Sequence, residues 1–280
     1  MRLLNEPANR GLVRIIFDLS YDGTDFAGWA RQPDQRTVQG LIEDSLAMML
    51  RVPVSLTCGG RTDAGVHARH QIVHFDLELS IWREMGGDLL RRLAHFLPSD
   101  VRVNSIDIAP TGFDARFSAL RRHYKYRICD VLVGIDPLER INVLNWQSPL
   151  DETLMNEASS ALLGKHDFAA FCKKREGATS IRQLEQFVWS RDASGLLVGD
   201  VVADAFCHAM VRSLVGPVIA VGEGRRPVSW PLGMLQSGAR SAESIVASPE
   251  GLTLEQIDYP ADDELETRAL ITRKMRELDN

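Results

Sequence analysis

Two oppositely charged side chains stand close together in the segment GRTDAGVHA, where Arg61 and Asp63 occupy a loop between two predicted strands. A loop allows side chains to converge on a ligand without disturbing the hydrogen bonds of a sheet. An ionised, partly dehydrated carboxylate can attack as a nucleophile or remove a proton, and a neighbouring guanidinium keeps it ionised. Judged on its residue types alone, however, the segment is more typical of a surface turn with a solvated ion pair.

Three further side chains have both a structural and a chemical interpretation. Arg61 can pair with Asp63 or bind a phosphate, because its guanidinium fork suits either partner. Tyr124 shares one face of a predicted strand with Tyr126 and Ile128, which is ordinary core packing. Arg212 lies among apolar residues of a predicted helix, so it is either a structural ion pair or an active-site contact. We expect His67 to shape its loop by hydrogen bonding rather than to act as an acid or base.

The composition indicates a globular protein. Of its 280 residues, 45% are hydrophobic and 25% are charged, which suits two modest domains that share an interface. The formal net charge of −6 gives no overall attraction to phosphates. A nucleic-acid surface would therefore be local, and two basic clusters are candidates, although both are equally typical of solvated faces. They comprise Arg116, Arg121, Arg122, Lys125 and Arg127, and then Lys173, Lys174 and Arg175.

The cysteines and the apolar runs indicate where the protein works. Cys58, Cys129, Cys172 and Cys207 are far apart and include no CxxC pair, which predicts no zinc site, no redox motif and no disulfide framework. The first residues lack the apolar core of a signal peptide, and the most apolar run, residues 209–222, is too short to cross a bilayer. We therefore expect a cytoplasmic protein.

Hydrophobic periodicity predicts an α+β fold. Strands are predicted at residues 14–21, 54–58, 71–77, 101–108, 123–128, around Phe187 and at 197–206, and helices at 38–50, 88–96, 151–164 and 208–221. We interpret them as two similar lobes, each a mainly antiparallel sheet with helices packed on one face. Residues 11–110 form the N-terminal lobe with the GRTDAGVHA loop, 111–260 form the C-terminal lobe, and 261–280 form a charged tail.

Several strings resemble one family and occur in that family's order. GRTDAGVHA resembles the active-site loop of the TruA-type tRNA pseudouridine synthases, and the others are YDGTDFAGW with RTVQG, FDARFSALRRHYKYR, HDFAAF, FCHAMVR and SPEGL. The resemblance covers about residues 14 to 259. It implies the pseudouridine synthase fold and an isomerase that converts uridine to pseudouridine at positions 38 to 40 in the anticodon stem-loop of tRNA, without a metal or cofactor. It also implies a homodimer.

The resemblance assigns roles to individual residues. It implies that Asp63 is the nucleophile, that Arg61 is its partner and that Tyr124 is the active-site tyrosine. Substrate binding is assigned to Tyr124, Arg212, Arg36 and Arg116. Two other functions are weighed against this one: a non-catalytic RNA-binding or RNA-chaperone protein on the same fold, and an unrelated hydrolase with an aspartate nucleophile. The hydrolase is disfavoured because the sequence lacks a phosphate loop, a metal cluster and a Ser/His/Asp set.

Overall fold

The computed structural model describes residues 11–173, 179–240 and 244–274. Lys174 and Arg175 of the second basic cluster lie outside these residues. The first half of the chain forms β1 Leu12–Tyr21, α1 Val38–Leu50, β2 Thr57–Cys58, β3 His67–Glu78, α2 Leu79–Phe96 and β4 Val101–Ile108. The second half forms β5 Arg121–Cys129, β6 Leu144–Asn145, α3 Glu152–Ser160, β7 Gly164–Asp167, β8 Ile181–Arg191, β9 Leu197–Ala203, α4 Met210–Gly222, α5 Trp230–Ser237, β10 Leu252–Asp258 and α6 Leu265–Arg273.

The strands of the described residues join in one ten-stranded sheet. Its order is β4-β1-β3-β10-β5-β9-β8-β7, with β2 added to β3 and β6 added to β5. The pairing is antiparallel except between β10 and β3 and between β5 and β6. Strand β10 therefore links the two halves of the chain at the middle of the sheet. The predicted α+β class with a mainly antiparallel sheet is confirmed, while the lobe boundary at residue 110 stays a prediction.

The first strand and the first helix form as the sequence predicts. Side chains at every second position of β1, from Val13 to Tyr21, are buried, because period-two alternation places them on the core face. Helix α1 begins after Thr37, whose hydroxyl accepts a hydrogen bond from the Gly40 amide at 3.3 Å. It ends at Arg51, which adopts a left-handed conformation two residues before Pro53.

Several elements differ from the predicted bounds: β3 begins at His67 rather than at residue 71, and α3 ends at Ser160 rather than at residue 164. Two further differences have an evident physical cause. Helix α2 begins at Leu79, nine residues before the predicted start. Gly86 and Gly87 weaken the helical pattern in the sequence, but the packing of Leu89 and Leu93 in the core outweighs their low propensity. Conversely, the strand predicted from residue 54 is reduced to Thr57–Cys58, because the Leu56 amide donates to the Glu43 carboxylate at 2.9 Å rather than to a neighbouring strand.

One continuous apolar core extends under both halves of the sheet. Helix α4 lies deepest in the second half: twelve of its thirteen residues are buried, and Arg212 is the remaining one. The start of the predicted tail is ordered as α6, whose Leu265 and Ala269 are buried, and Leu265 packs against Phe113 and Ala115. Residues 275–280 lie outside the described part of the chain.

Candidate active site

The loop between β2 and β3 is clamped at its first two glycines. The Gln71 side chain accepts from the Gly60 amide at 3.2 Å and donates to the Gly60 carbonyl. The buried guanidinium of Arg122 donates to the Gly59 carbonyl from Nε at 3.0 Å and from Nη2 at 2.7 Å. The same guanidinium also reaches the Asp204 carbonyl at 2.7 Å. These bonds fix the start of the GRTDAGVHA loop against β3, β5 and the segment that leads to α4.

The YDGTDFAGW segment supports the middle of the same loop. The Trp29 amide donates to the Thr62 carbonyl at 3.0 Å, and the Tyr21 and Thr62 hydroxyls are 2.8 Å apart in a buried hydrogen bond. Gly28 has a φ of +101° and lies so close to the loop that a Cβ would be 3.0 Å from the Thr62 carbonyl oxygen. A side chain here would combine backbone strain with a backbone clash, which accounts for glycine at this position.

The SPEGL string lies on the other side of the loop. His67 accepts from the Gly23 amide at 3.1 Å through Nδ1 and contacts the Glu250 carbonyl at 3.2 Å through Nε2. Burial lowers the pKa of His67, and a neutral ring with the proton on Nε2 satisfies both contacts. Pro249 packs beside Gly65, where a Cβ would be 2.8 Å from its Cγ. His67 thus joins three segments, which confirms its predicted role in shaping the loop.

The Asp63 carboxylate is held by two residues of the FCHAMVR string. Arg212 Nη1 lies 3.3 Å from one carboxylate oxygen, Oδ2, and His208 Nε2 lies 3.5 Å from the other, Oδ1. The Asp63 side chain is 18% exposed and that of Arg212 is 19% exposed, so the pair is largely but not completely removed from water. Arg212, one of the residues predicted to bind substrate, therefore contacts Asp63, while its role in substrate binding stays a prediction.

Tyr124 lies beneath the catalytic loop on β5. Its side chain is buried and packs edge-on against the Phe206 ring, with centroids 5.1 Å apart. A Cβ added to Gly60 would be 3.8 Å from the Tyr124 hydroxyl, so that hydroxyl lies beside the start of the loop. Burial raises the pKa of Tyr124 well above its usual value, and the Tyr21 hydroxyl and the Asp63 carboxylate act in the same direction. The phenol is therefore protonated at neutral pH.

The remaining predicted residues lie farther from the carboxylate. Arg61 is exposed and, among the described residues, forms no ion pair with Asp63. Asp63 is instead contacted by Arg212, which lies on helix α4. Arg36 pairs with Asp100 at 2.8 Å and lies 3.9 Å from the centre of the Phe26 ring. Arg116 is exposed, and its carbonyl accepts from Arg122. Their catalytic or substrate-binding roles stay predictions.

Much of the first basic cluster is neutralised within the fold. Alternation along β5 places several of its cations beside acidic side chains of neighbouring strands: Arg121 lies near Asp258 and Glu185, Lys125 near Asp200 and Arg127 near Glu255. Arg122 points to the opposite face and is buried. The cluster therefore forms a mixed, ion-paired surface, which fits the interpretation as a solvated face better than a dedicated phosphate surface.

The cysteine prediction is wrong for one pair. Cys172 and Cys207 form a disulfide, with Cα atoms 5.7 Å apart, whereas Cys58 and Cys129 are free and buried. The sequence separation of 35 residues gives no sign of this pairing. Tertiary folding brings the HDFAAF and FCHAMVR segments together and so places the two side chains in reach. The bond lies immediately before His208, which contacts Asp63.

Sequence reasoning also missed His208 and Arg122. His208 lies in the FCHAMVR string, three residues after Ala205. Only its proximity to Asp63 distinguishes it from a surface histidine. Arg122 was grouped with the basic cluster, and the period-two pattern that separates it from Arg121 and His123 was the available signal. Within the described residues, no group of three or more His, Cys, Asp or Glu side chains is arranged to hold a metal ion.

The carboxylate of Asp63 thus lies between a guanidinium and an imidazole, and the buried Tyr124 lies beside the start of the same loop, an arrangement that suits a carboxylate-dependent enzyme. The family model described as tRNA pseudouridine synthase matches residues 158–260. A Streptomyces griseus protein named tRNA pseudouridine synthase A is 53% identical over 278 residues, 98% of each chain. Similarly named proteins of Frankia casuarinae and Mycobacterium leprae are 54% and 48% identical, covering 95% and 94% of this chain and 96% of each relative. This chain belongs to the tRNA pseudouridine synthase family, whose members are isomerases.

Proposed function

We propose that this protein converts uridine to pseudouridine at positions 38 to 40 in the anticodon stem-loop of tRNA, with Asp63 as the catalytic carboxylate. The observation that supports this most directly is the placement of Asp63 between Arg212 and His208. A carboxylate that is largely removed from water beside a guanidinium suits the role of a nucleophile or general base. The family membership supplies the reaction and the class of RNA.

The reaction rearranges atoms within one nucleotide. The bond from uracil N1 to ribose C1′ breaks, the base rotates, and a new bond forms between C5 and C1′. C5 loses its hydrogen as a proton and N1 gains a proton from solvent, so the reaction needs no oxidant, reductant or group donor. Asp63 either attacks C1′ and later leaves it, or removes the C2′ proton during elimination of the base and returns it. Both routes use the carboxylate that Arg212 holds.

Tyr124 and the exposed arginines are proposed to hold the RNA. A paired or stacked uridine hides its reacting atoms, so it must be extruded into the cleft, where the Tyr124 ring can stack on the base. The Tyr124 hydroxyl, kept protonated by burial, can donate a hydrogen bond to the detached uracil. Arg61 and Arg116 are exposed near the loop and suit phosphate contacts, and Arg36 lies just before α1 in the first half of the chain.

We propose that the protein works as a homodimer in the cytoplasm, where tRNA is the partner. Leu132, Val133 and Leu138 lie in the segment between β5 and β6 and are 98%, 94% and 89% exposed. Three such side chains on one short segment are typical of a surface covered by a partner. A second copy of the chain would cover this surface. Sedimentation of a monomer at every concentration tested would contradict the dimer.

No helix in the described part of the chain is long and apolar enough to span a membrane.

The activity is tested by tritium release from tRNA transcripts that contain 5-tritiated uridine, because the isomerisation expels the hydrogen on C5. Wild-type protein is expected to release tritium and Asp63→Asn to release none above background. Transcripts in which the uridines at positions 38, 39 and 40 are replaced one at a time then identify the target. Tight binding with no release from any competent tRNA would favour the RNA-binding or RNA-chaperone function instead.

The two routes for Asp63 are separated by deuterium at ribose C2′. Removal of the C2′ proton predicts a slower single-turnover rate with the deuterated transcript, whereas attack at C1′ predicts nearly equal rates. The unlabelled transcript is the matched control. Binding of both transcripts should be the same, because the isotope changes only the strength of the bond that breaks.

A further inference from the structure

His208 lies beside the Asp63 carboxylate, which distinguishes it from an ordinary surface histidine. Its Nε2 lies 3.5 Å from Asp63 Oδ1, while Arg212 Nη1 lies 3.3 Å from Oδ2. The two oxygens of one carboxylate therefore have different partners, one cationic and one an imidazole. The side chain of His208 is 56% exposed to solvent. An exposed side chain of this kind would ordinarily sample several rotamers.

The backbone around His208 is constrained from both sides. The next residue, Ala209, adopts a left-handed conformation with φ of 61° and ψ of 12°, which is unfavourable for a residue with a Cβ. The preceding residue, Cys207, is bonded to Cys172, and the His208 carbonyl accepts from the Lys173 amide at 3.2 Å. Strained conformations persist where the surroundings over-determine them, and they concentrate at functional sites. The fold thus holds the His208 backbone in one place beside Asp63.

We propose that His208 is a positioning residue for Asp63, an inference that rests on the proposed function. Its imidazole holds Oδ1 while Arg212 holds Oδ2, which prevents the carboxylate from rotating about its Cβ–Cγ bond. Restricting this rotation keeps a carboxylate lone pair directed at the ribose, and small errors in such geometry are costly for the rate. Because the carboxylate geometry matters for the chemical step, loss of His208 lowers turnover without weakening tRNA binding.

Two substitutions separate the contact with Asp63 Oδ1 from other effects. His208→Gln keeps an N–H group that can reach the position of Nε2, and His208→Leu removes it while keeping apolar bulk. His70, on β3, provides a matched control. Its side chain is also 56% exposed and contacts the carboxylate of Asp18 at 2.9 Å. His70→Leu removes an equivalent surface contact away from the cleft. Thermal unfolding of each variant reports whether the fold is retained.

The experiment measures single-turnover tritium release and the tRNA dissociation constant for the wild type and the three variants. We expect His208→Leu to lower the rate about 10-fold or more with unchanged binding, His208→Gln to restore most of it, and His70→Leu to match the wild type. An unchanged rate in His208→Leu, equal losses in Leu and Gln, or a loss of binding alone would overturn the inference, the last indicating a direct RNA contact. Absence of release by the wild type would overturn the proposed function and this inference with it.

Discussion

Arg212 and Asp63 are 149 positions apart in sequence, and their side chains meet with Nη1 3.3 Å from Oδ2. The same guanidinium donates through Nε to the Ala247 carbonyl at 2.7 Å, and the Ala247 amide donates to the Arg212 carbonyl at 2.9 Å. Arg212 therefore connects the catalytic loop of the first half to the SPEGL segment near the end of the chain. One N–H group of the Arg212 guanidinium is bonded to the Ala247 carbonyl, while another binds the Asp63 carboxylate.

Arg212→Lys is expected to lower the single-turnover rate about 100-fold, because an ammonium group cannot donate in both directions with the planar geometry of a guanidinium. The tRNA dissociation constant should change little. Rapid-quench measurement of tritium release, with filter binding in parallel, checks both values. A variant that loses binding and keeps its rate would place Arg212 on the RNA rather than on Asp63.

Arg61→Gln should show the opposite pattern. Arg61 is exposed and does not pair with Asp63 in the described structure, so we expect it to contact a phosphate. The variant should bind tRNA more weakly and reduce the slope of log affinity against log salt by about 1, with little change in the rate at saturating protein. An unaltered salt slope together with a slower rate would instead support the ion-pair role that the family resemblance implies.

Tyr124→Phe and Tyr124→Leu separate the hydroxyl from the ring. Phe keeps the stacking surface and loses the protonated hydroxyl, so we expect a rate about 100-fold lower than the wild type. Leu also loses stacking, which contributes about 1–3 kcal/mol per base, and should be slower again by about 10-fold. Single-turnover rates of the two variants provide the comparison. Equal rates for Phe and Leu would argue against stacking of the flipped base.

The stability of the protein should depend on the protonation of His74. Burial, with a smaller effect of Arg14, lowers the pKa of His74 to about 4, and its Nδ1 accepts from the Ala115 amide at 3.0 Å. The unfolded chain binds a proton near pH 6.5, so the stability from neutral His74 is complete above that pH and is lost as the pH falls towards 4. Between pH 7 and pH 5 this costs about 2 kcal/mol.

His74→Asn tests this dependence because the asparagine oxygen can replace Nδ1 as an acceptor but does not titrate. Urea unfolding at pH 7, 6 and 5 should show that the variant loses about 2 kcal/mol less than the wild type over this range. Parallel stability curves for the two proteins would show that His74 is not the group responsible.

The disulfide between Cys172 and Cys207 predicts a thiol count that depends on reduction. Unfolded protein without reductant should expose two thiols, those of Cys58 and Cys129, and all four cysteines should react after reduction. Closing a loop of 35 residues stabilises the fold by about 4 kcal/mol, so reductant should lower the free energy of unfolding by that amount. Cys207→Ser should be insensitive to reductant, and four reactive thiols in untreated protein would disprove the bond.

Much of the fold was predictable because its signals are local. Alternation in β1 and β5, the Thr37 cap of α1 and the Asp151 cap of α3 all depend on residues within a few positions of one another. Capping and burial periodicity are properties of a short segment, so they can be predicted from the sequence. The structure confirms both. The bounds of α2 and β2 were less predictable, because the packing of Leu89 and the Glu43 contact to Leu56 lie outside any local pattern.

The candidate site likewise combines residues that the sequence indicates with contacts that only folding produces. Asp63, Tyr124 and Arg212 could be selected from strings in the sequence, since residue type and order are sufficient to recognise a family. Folding decided four other features of the site. They are the cation that contacts Asp63, the position of His208, the hydrogen bonds from Arg122 to the loop, and the pairing of Cys172 with Cys207. Each joins segments far apart in the chain, and such contacts arise from how the sheet and α4 pack rather than from the neighbouring residues of either partner.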